Sequence, residues 1–201
     1  MRKKITRIGI FGGSFDPPHL GHIVIAELAR RQLGLERVFL VPAFKPPHKA
    51  GRYASTARDR LHMTKLSIRG NRNLRVSDIE IRRRGISYTV DTVRFFKKKY
   101  HSASLFLIIG GDSLRQFKTW REPDVILSLC ELVVYRRPGA GTRVSSVRGF
   151  PIHYVEGPSM DVSSSEIRAR LKSGKPVEDM LRKGVLQYIR RNELYVPEHE
   201  K

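Results

Sequence analysis

A chain of 201 residues has room for one packed core with at most a small appendage, and its 40% hydrophobic and 29% charged residues are the balance of a globular protein. No apolar run approaches the roughly 20 residues of a membrane-spanning helix, and Met1–Lys4 passes at once into a strand, so neither an anchor nor a signal peptide is expected. Cys130 is the single cysteine, which excludes an internal disulfide and fits a reducing, cytoplasmic setting.

The first element in the chain is the apolar run Ile5–Phe11, a buried parallel strand, ended by Gly12-Gly13. Asp16-Pro17-Pro18 leads into a helix from His19, with His22, Ile25, Ala26, Ala29 and Leu33 near one face and Gly34 as its stop. His19 and His22 then stand side by side in the first turn, where the helix dipole and free N–H groups favour an anion. Arg37–Val41 is the second strand, and a strand–helix–strand of this length implies an open parallel α/β sheet. Ligands belong at the carboxyl ends of such strands. The loop Pro42–Lys49 follows there, cationic and proline-rich, and can aim Lys45 and Lys49 at phosphates.

Residues 55–69 read as an amphipathic helix with Leu61, Lys65, Leu66 and Ile68 about its face, and Arg58 and Arg60 on a solvated side. Leu74–Ile81 alternates like a half-exposed strand. A helix follows from Ser87, its N-cap, to about Tyr100, with Thr89 near the start, able to hold an anion or an amide. Ser104–Ile109 is the most hydrophobic strand and belongs at the centre of the sheet. It ends in Gly110-Gly111-Asp112-Ser113, where Asp112 can meet ribose hydroxyls or cap the next helix with equal reason. Trp120, the only tryptophan, sits among polar residues, as suits an aromatic plate for a ring.

Pro123–Leu129 is a short helix and Leu132–Tyr135 a strand, which places Cys130 in buried, inert surroundings. A basic turn and a loop over Gly139–Gly149 come next, and Pro151–Val155 resumes the sheet. Ser163 and Glu166 have the spacing of a capping box, so a helix begins there with Ser164 and Arg168 over its free end. A last helix covers about 178–192. The whole is one domain, 1–201, with a helical C-terminal subregion over about 163–195.

Strand–GGSFDPPHLGH–helix resembles the signature of the nucleotidyltransferase superfamily, whose H-x-G-H binds a triphosphate. With PPHK, SYTVDT, GGDSL and the following Trp120, RRPG, SSSEIR and YIRRNELY, the chain resembles the bacterial-type nicotinate-nucleotide adenylyltransferases. That resemblance implies a Rossmann-like, doubly wound, mainly parallel sheet with a helical C-terminal end. It implies transfer of an adenylyl group from ATP to nicotinate mononucleotide with Mg²⁺, borne mainly on the ATP phosphates. By position, His19, His22, Lys49 and Arg168 would carry catalysis, and Gly12, Gly13, Ser14, Phe15, Asp112 and Ser164 would bind ATP. Thr89, Trp120 and Arg137 would bind the mononucleotide, Arg136 being the alternative to Arg137. No residue set for a metal is implied. A homo-oligomer is compatible, and no membrane or specific nucleic-acid partner is expected.

The runner-up is pantetheine-phosphate adenylyltransferase, which shares the first and last motifs. A nucleic-acid-binding module rests only on the net charge of +20 and an isoelectric point near 10.7. Arg82–Arg84, Lys97–Lys99 and Arg190-Arg191 form short scattered clusters without a nucleic-acid motif, so solvated faces explain them first.

Overall fold

Apolar side chains without a polar alternation make strands that must be covered on both faces, and the computed structural model places two such runs side by side. It describes residues 6–47, 54–136, 146–158 and 160–196, so Lys49 and Arg137 lie outside the described residues. In chain order the elements are β1 (Arg7–Gly13), α1 (Leu20–Gln32), β2 (Arg37–Pro42), α2 (Ala57–Ser67), β3 (Leu74–Val76), α3 (Ile79–Arg83), α4 (Thr89–Lys99) and β4 (Ser104–Gly110). There follow α5 (Gly111–Gln116), α6 (Pro123–Leu129), β5 (Glu131–Arg136), β6 (Ser146–Val147), β7 (Phe150–Glu156), α7 (Ser164–Lys172) and α8 (Lys183–Arg191).

The seven strands lie in the order β3-β2-β1-β4-β5-β7-β6, all neighbours parallel except β6 with β7. β4 is central, as its composition demands. The order reverses between β1 and β4, where Phe11 pairs with Ile108, and in open parallel sheets the crevice beyond the carboxyl ends of two such strands is where ligands bind.

Strand alternation divides the core. Ile8, Ile10, Leu105, Leu107 and Ile109 face α4 and α6 through Val90, Val93, Phe96, Ile126 and Leu127. Phe11, Phe106 and Ile108 face α1 through Ile23, Ala26 and Ala29. A third cluster joins Met63 of α2 to Ile167, Val177, Met180, Val185 and Ile189, so the C-terminal helices are seated on α2.

Several elements differ from expectation. The strand at Leu74 stops at Val76, and Ile79–Arg83 is a helical turn whose Glu80 is buried and bonded by the Thr92 hydroxyl at 2.6 Å. α4 takes Tyr88, not Ser87, as its N-cap. Ser146–Val147 forms a short hairpin with β7 inside the stretch expected to be loop. Ser163 caps α7 by accepting from the Glu166 N–H at 3.1 Å, but the Glu166 carboxylate turns to Arg170. The last helix starts only at Lys183, residues 178–180 forming a turn before it. Cys130 is buried as expected, and burial pushes its thiol up to about 12.

Candidate active site

The crevice is floored by the turn that leaves β1. Gly12 is exposed, and a methyl group added there would meet nothing within 4 Å. At Gly13 the same methyl would stand 3.0 Å from the Phe15 ring, so a side chain there would press that ring out of its place by a few tenths of an ångström. Phe15 is buried and packs edge-on against Phe11 and His22, at centroid distances of 5.8 and 4.9 Å.

His19 and His22 meet as their three-residue spacing requires, with ring centroids 3.7 Å apart. His19 is the N-cap of α1, and its N–H donates to His22 Nδ1 at 3.2 Å. That bond makes Nδ1 the acceptor, so in the neutral ring of His22 the proton sits on Nε2. Burial lowers His19 to about 4. Burial, then the neighbouring His19, lowers His22 well below the ordinary imidazole range. Both rings are therefore neutral donors at neutral pH, and an anion has to arrive before either charges. The expectation of free N–H groups in this turn needs correction: Leu20 donates to Met180 O at 2.9 Å and His22 to His19 O at 3.0 Å. The imidazoles and the dipole carry the anion preference here.

Gly21 explains the close approach of the second helix start. A Cβ there would lie 3.0 Å from Val162 and 3.1 Å from His19 Nδ1. α7 sits directly against this turn: the Ser164 hydroxyl donates to Pro17 O at 2.8 Å, and Arg168 donates to Asp16 O at 2.7 Å and Ser165 Oγ at 3.2 Å. His19, His22, Ser164 and Arg168 are thus gathered about one loop.

The other predicted residues lie on α4, on α5 and on the segment after α5. Thr89 is the first residue of α4 and half-buried. Trp120 is half-buried against Phe117, 5.2 Å between centroids. Its neighbours fasten it to α4: the Arg121 guanidinium lies 4.7 Å over the Tyr88 ring, and Glu122 accepts from Arg94 at 2.6 Å. Asp112 is exposed in the first turn of α5, and its carboxylate is engaged by Arg115; Gly110, not Asp112, is the N-cap. Among the described residues no three His, Cys, Asp or Glu side chains converge to hold a metal ion.

Two residues of the site were not anticipated. Arg60, expected on a solvated face, is 1% exposed and donates to Ser14 O at 3.0 Å, Ala43 O at 2.5 Å and Phe44 O at 3.1 Å. Thr56 and Asp59 form a capping box that starts α2 at Ala57, and the buried face runs Arg60, Met63, Thr64, Ser67. That spacing of three and four was the available signal, hidden because three of the four residues are polar. Asp16 is the other. Its buried carboxylate accepts from Ser55 Oγ at 2.5 Å, Tyr195 Oη at 2.7 Å and the Ala54 N–H at 3.0 Å, which ties the C-terminal end to the loop.

Comparison with known proteins decides the family. The Cytidylyltransferase-like family matches residues 10–170. A probable nicotinate-nucleotide adenylyltransferase of Desulfitobacterium hafniense (strain DSM 10664 / DCB-2) is 41% identical over 197 residues, covering 94% of this chain and 95% of its relative. The chain belongs to the nicotinate-nucleotide adenylyltransferase family. A probable member from Salinibacter ruber (strain DSM 13855 / M31) is 39% identical over 94% of this chain and 98% of its own. The chain is accordingly a nucleotidyltransferase. In fold it matches the Plasmodium falciparum nicotinic acid mononucleotide adenylyltransferase complexed with NaAD, with a TM-score of 0.77 at 20% identity, over 94% of this chain and 97% of that one.

Proposed function

We propose that this nucleotidyltransferase moves the adenylyl group of ATP to nicotinate mononucleotide, releasing pyrophosphate and deamido-NAD, in the cytoplasm and as one domain. The observation that carries the reading is the closely packed, neutral His19–His22 pair beside the carboxyl end of β1, faced by Ser164 and Arg168 of α7.

The reaction needs no base, because the attacking mononucleotide phosphate is already ionised at neutral pH. A phosphate oxygen bonds to the α-phosphorus of ATP as the bond from that phosphorus to the bridging oxygen breaks. The electron pair leaves with pyrophosphate. The chain has to align the two phosphates and stabilise charge growing on the leaving group. His22 Nε2–H and the His19 ring supply hydrogen bonds there, Arg168 supplies fixed charge, and the open space before Gly12 admits the phosphates. Lys49 is assigned to the same grip by its place in the family pattern. Divalent metal enters as part of the substrate, Mg·ATP, on the phosphates and their waters.

On the opposite wall Trp120 offers a ring surface, and Thr89 at the positive end of α4 offers donors to a carboxylate; Arg137 belongs to this group by position and Asp112 to the adenosine side. The deciding experiment measures pyrophosphate release from ATP with nicotinate mononucleotide, nicotinamide mononucleotide and phosphopantetheine in turn. The expected order puts nicotinate mononucleotide first. Phosphopantetheine as the best acceptor would overturn the reading in favour of the sibling activity.

A further inference from the structure

The two walls are joined through a hydrogen-bonded route that starts at the buried Arg60. Its guanidinium takes the Ser14 carbonyl of the phosphate turn on one side, and the Ala43 and Phe44 carbonyls of the loop after β2 on the other. The N–H groups of Phe44 and Lys45 in turn donate to the Ser87 hydroxyl, at 2.9 and 3.3 Å, and the Ser87 N–H donates back to Lys45 O at 2.8 Å. Ser87 is also hydrogen-bonded to the Glu80 carboxylate, which holds Thr92 of α4. Ser14 is thereby connected to Ser87 by hydrogen bonds between buried and part-buried groups, and Tyr88 alone separates Ser87 from Thr89 along the chain. A guanidinium fork suits this task where an ammonium does not, because its donors are fixed in one plane and reach several carbonyls at once.

We propose that Arg60 is a positioning residue for adenylyl transfer, holding the ATP-phosphate turn and the mononucleotide wall at a fixed separation through Ala43, Phe44 and Ser87. The proposal rests on the reading that the two walls take ATP and a pyridine mononucleotide. Arg60 touches neither substrate. It acts on the alignment of the attacking phosphate with the α-phosphorus, for which displacements near 1 Å cost about 10²-fold in rate.

The experiment compares wild type, Arg60→Lys, Ser87→Ala and the double variant. It measures kcat for pyrophosphate release, KM for each substrate, equilibrium affinity for ATP, and thermal unfolding. Arg60→Lys is expected to lose 10-fold or more in kcat while its equilibrium ATP affinity stays within about threefold. Ser87→Ala, a small change that keeps the fold, is expected to lose several-fold in the same direction. The double variant should be no worse than Arg60→Lys alone, because both cut one route. Wild-type kcat per folded molecule in Arg60→Lys, or a kcat loss matched by lost ATP affinity, overturns the proposal. If Arg60→Lys does not fold, wild-type kcat in Ser87→Ala overturns it by itself. A wild-type protein that releases no pyrophosphate with any mononucleotide overturns the underlying reading instead, a result separate from any variant.

Discussion

The chemistry of the site turns on the charge state of two imidazoles. His19 is held near 4 by burial, and His22 is lowered by burial and by His19. Their folded values lie below the unfolded 6.5, so as pH falls from 6.5 toward 4 the unfolded chain binds protons that the folded chain refuses. Stability therefore falls across that window, by about 3 kcal/mol for His19 alone, and is unaffected by these groups above it. A polyphosphate beside the rings favours their charged forms, which opposes the burial. Nucleotide binding at pH 5 to 6 should then be accompanied by proton uptake, measured by titration calorimetry in buffers of different ionisation enthalpy; no uptake would place the anion away from the pair. At neutral pH, His19→Ala or His22→Ala should lower turnover by on the order of 10²-fold, as for other lost donors to developing charge. Wild-type turnover in both variants would remove them from the reaction.

At the scale of elements, the second wall depends on α4 and the segment after α5 being clamped together by Arg121 on Tyr88 and Arg94 on Glu122. Trp120→Ala should accordingly raise the KM for mononucleotide more than the KM for ATP, and steady-state kinetics with each substrate varied will show it; an equal rise in both would mean that Trp120 serves the fold only. Gly21→Ala should be costly at the other wall. Its methyl would press on Val162 and the His19 ring at 3.0 and 3.1 Å, so lost activity should exceed the roughly 1 kcal/mol that helix propensity would return. These elements were unequally legible. The glycine turn, the two histidines and β4 were readable because their signals are local: a period, a turn residue, a spacing. The buried face of α2 was not, since Arg60, Thr64 and Ser67 are polar: Thr64 and Ser67 turn their hydroxyls back onto carbonyls of their own helix, and the Arg60 partners Ser14, Ala43 and Phe44 lie far along the chain. Ser87 has the chemistry of a cap but was drawn off by Phe44 and Lys45, and Leu74–Ile81 lost its strand where Glu80 found Thr92. Each is tertiary partnership overriding local preference.

For the molecule as a whole, part of the charge of +20 has a structural location. Basic residues fill the last turns of helices: Arg30 and Arg31 in α1, Lys97–Lys99 in α4, Arg170 and Lys172 in α7, Arg190 and Arg191 in α8. There they complement exposed carbonyls and the negative end of the dipole. Helices that connect parallel strands run opposite to them, so the charges ending α1 and α4 lie at the end of the sheet remote from the crevice. DNA affinity, measured against salt, should then be sequence-independent and fall steeply; tight sequence-selective binding at physiological salt would contradict this. On the proposed function, the sheet order, its switch point and the two walls serve to align two phosphates. The proposed reaction is transfer, not hydrolysis, and the stoichiometry of a complete reaction tests it most directly. With Mg·ATP and nicotinate mononucleotide, one deamido-NAD should form for each pyrophosphate released, as followed by chromatography and phosphorus NMR. Pyrophosphate or orthophosphate appearing without an equal amount of the dinucleotide would contradict it.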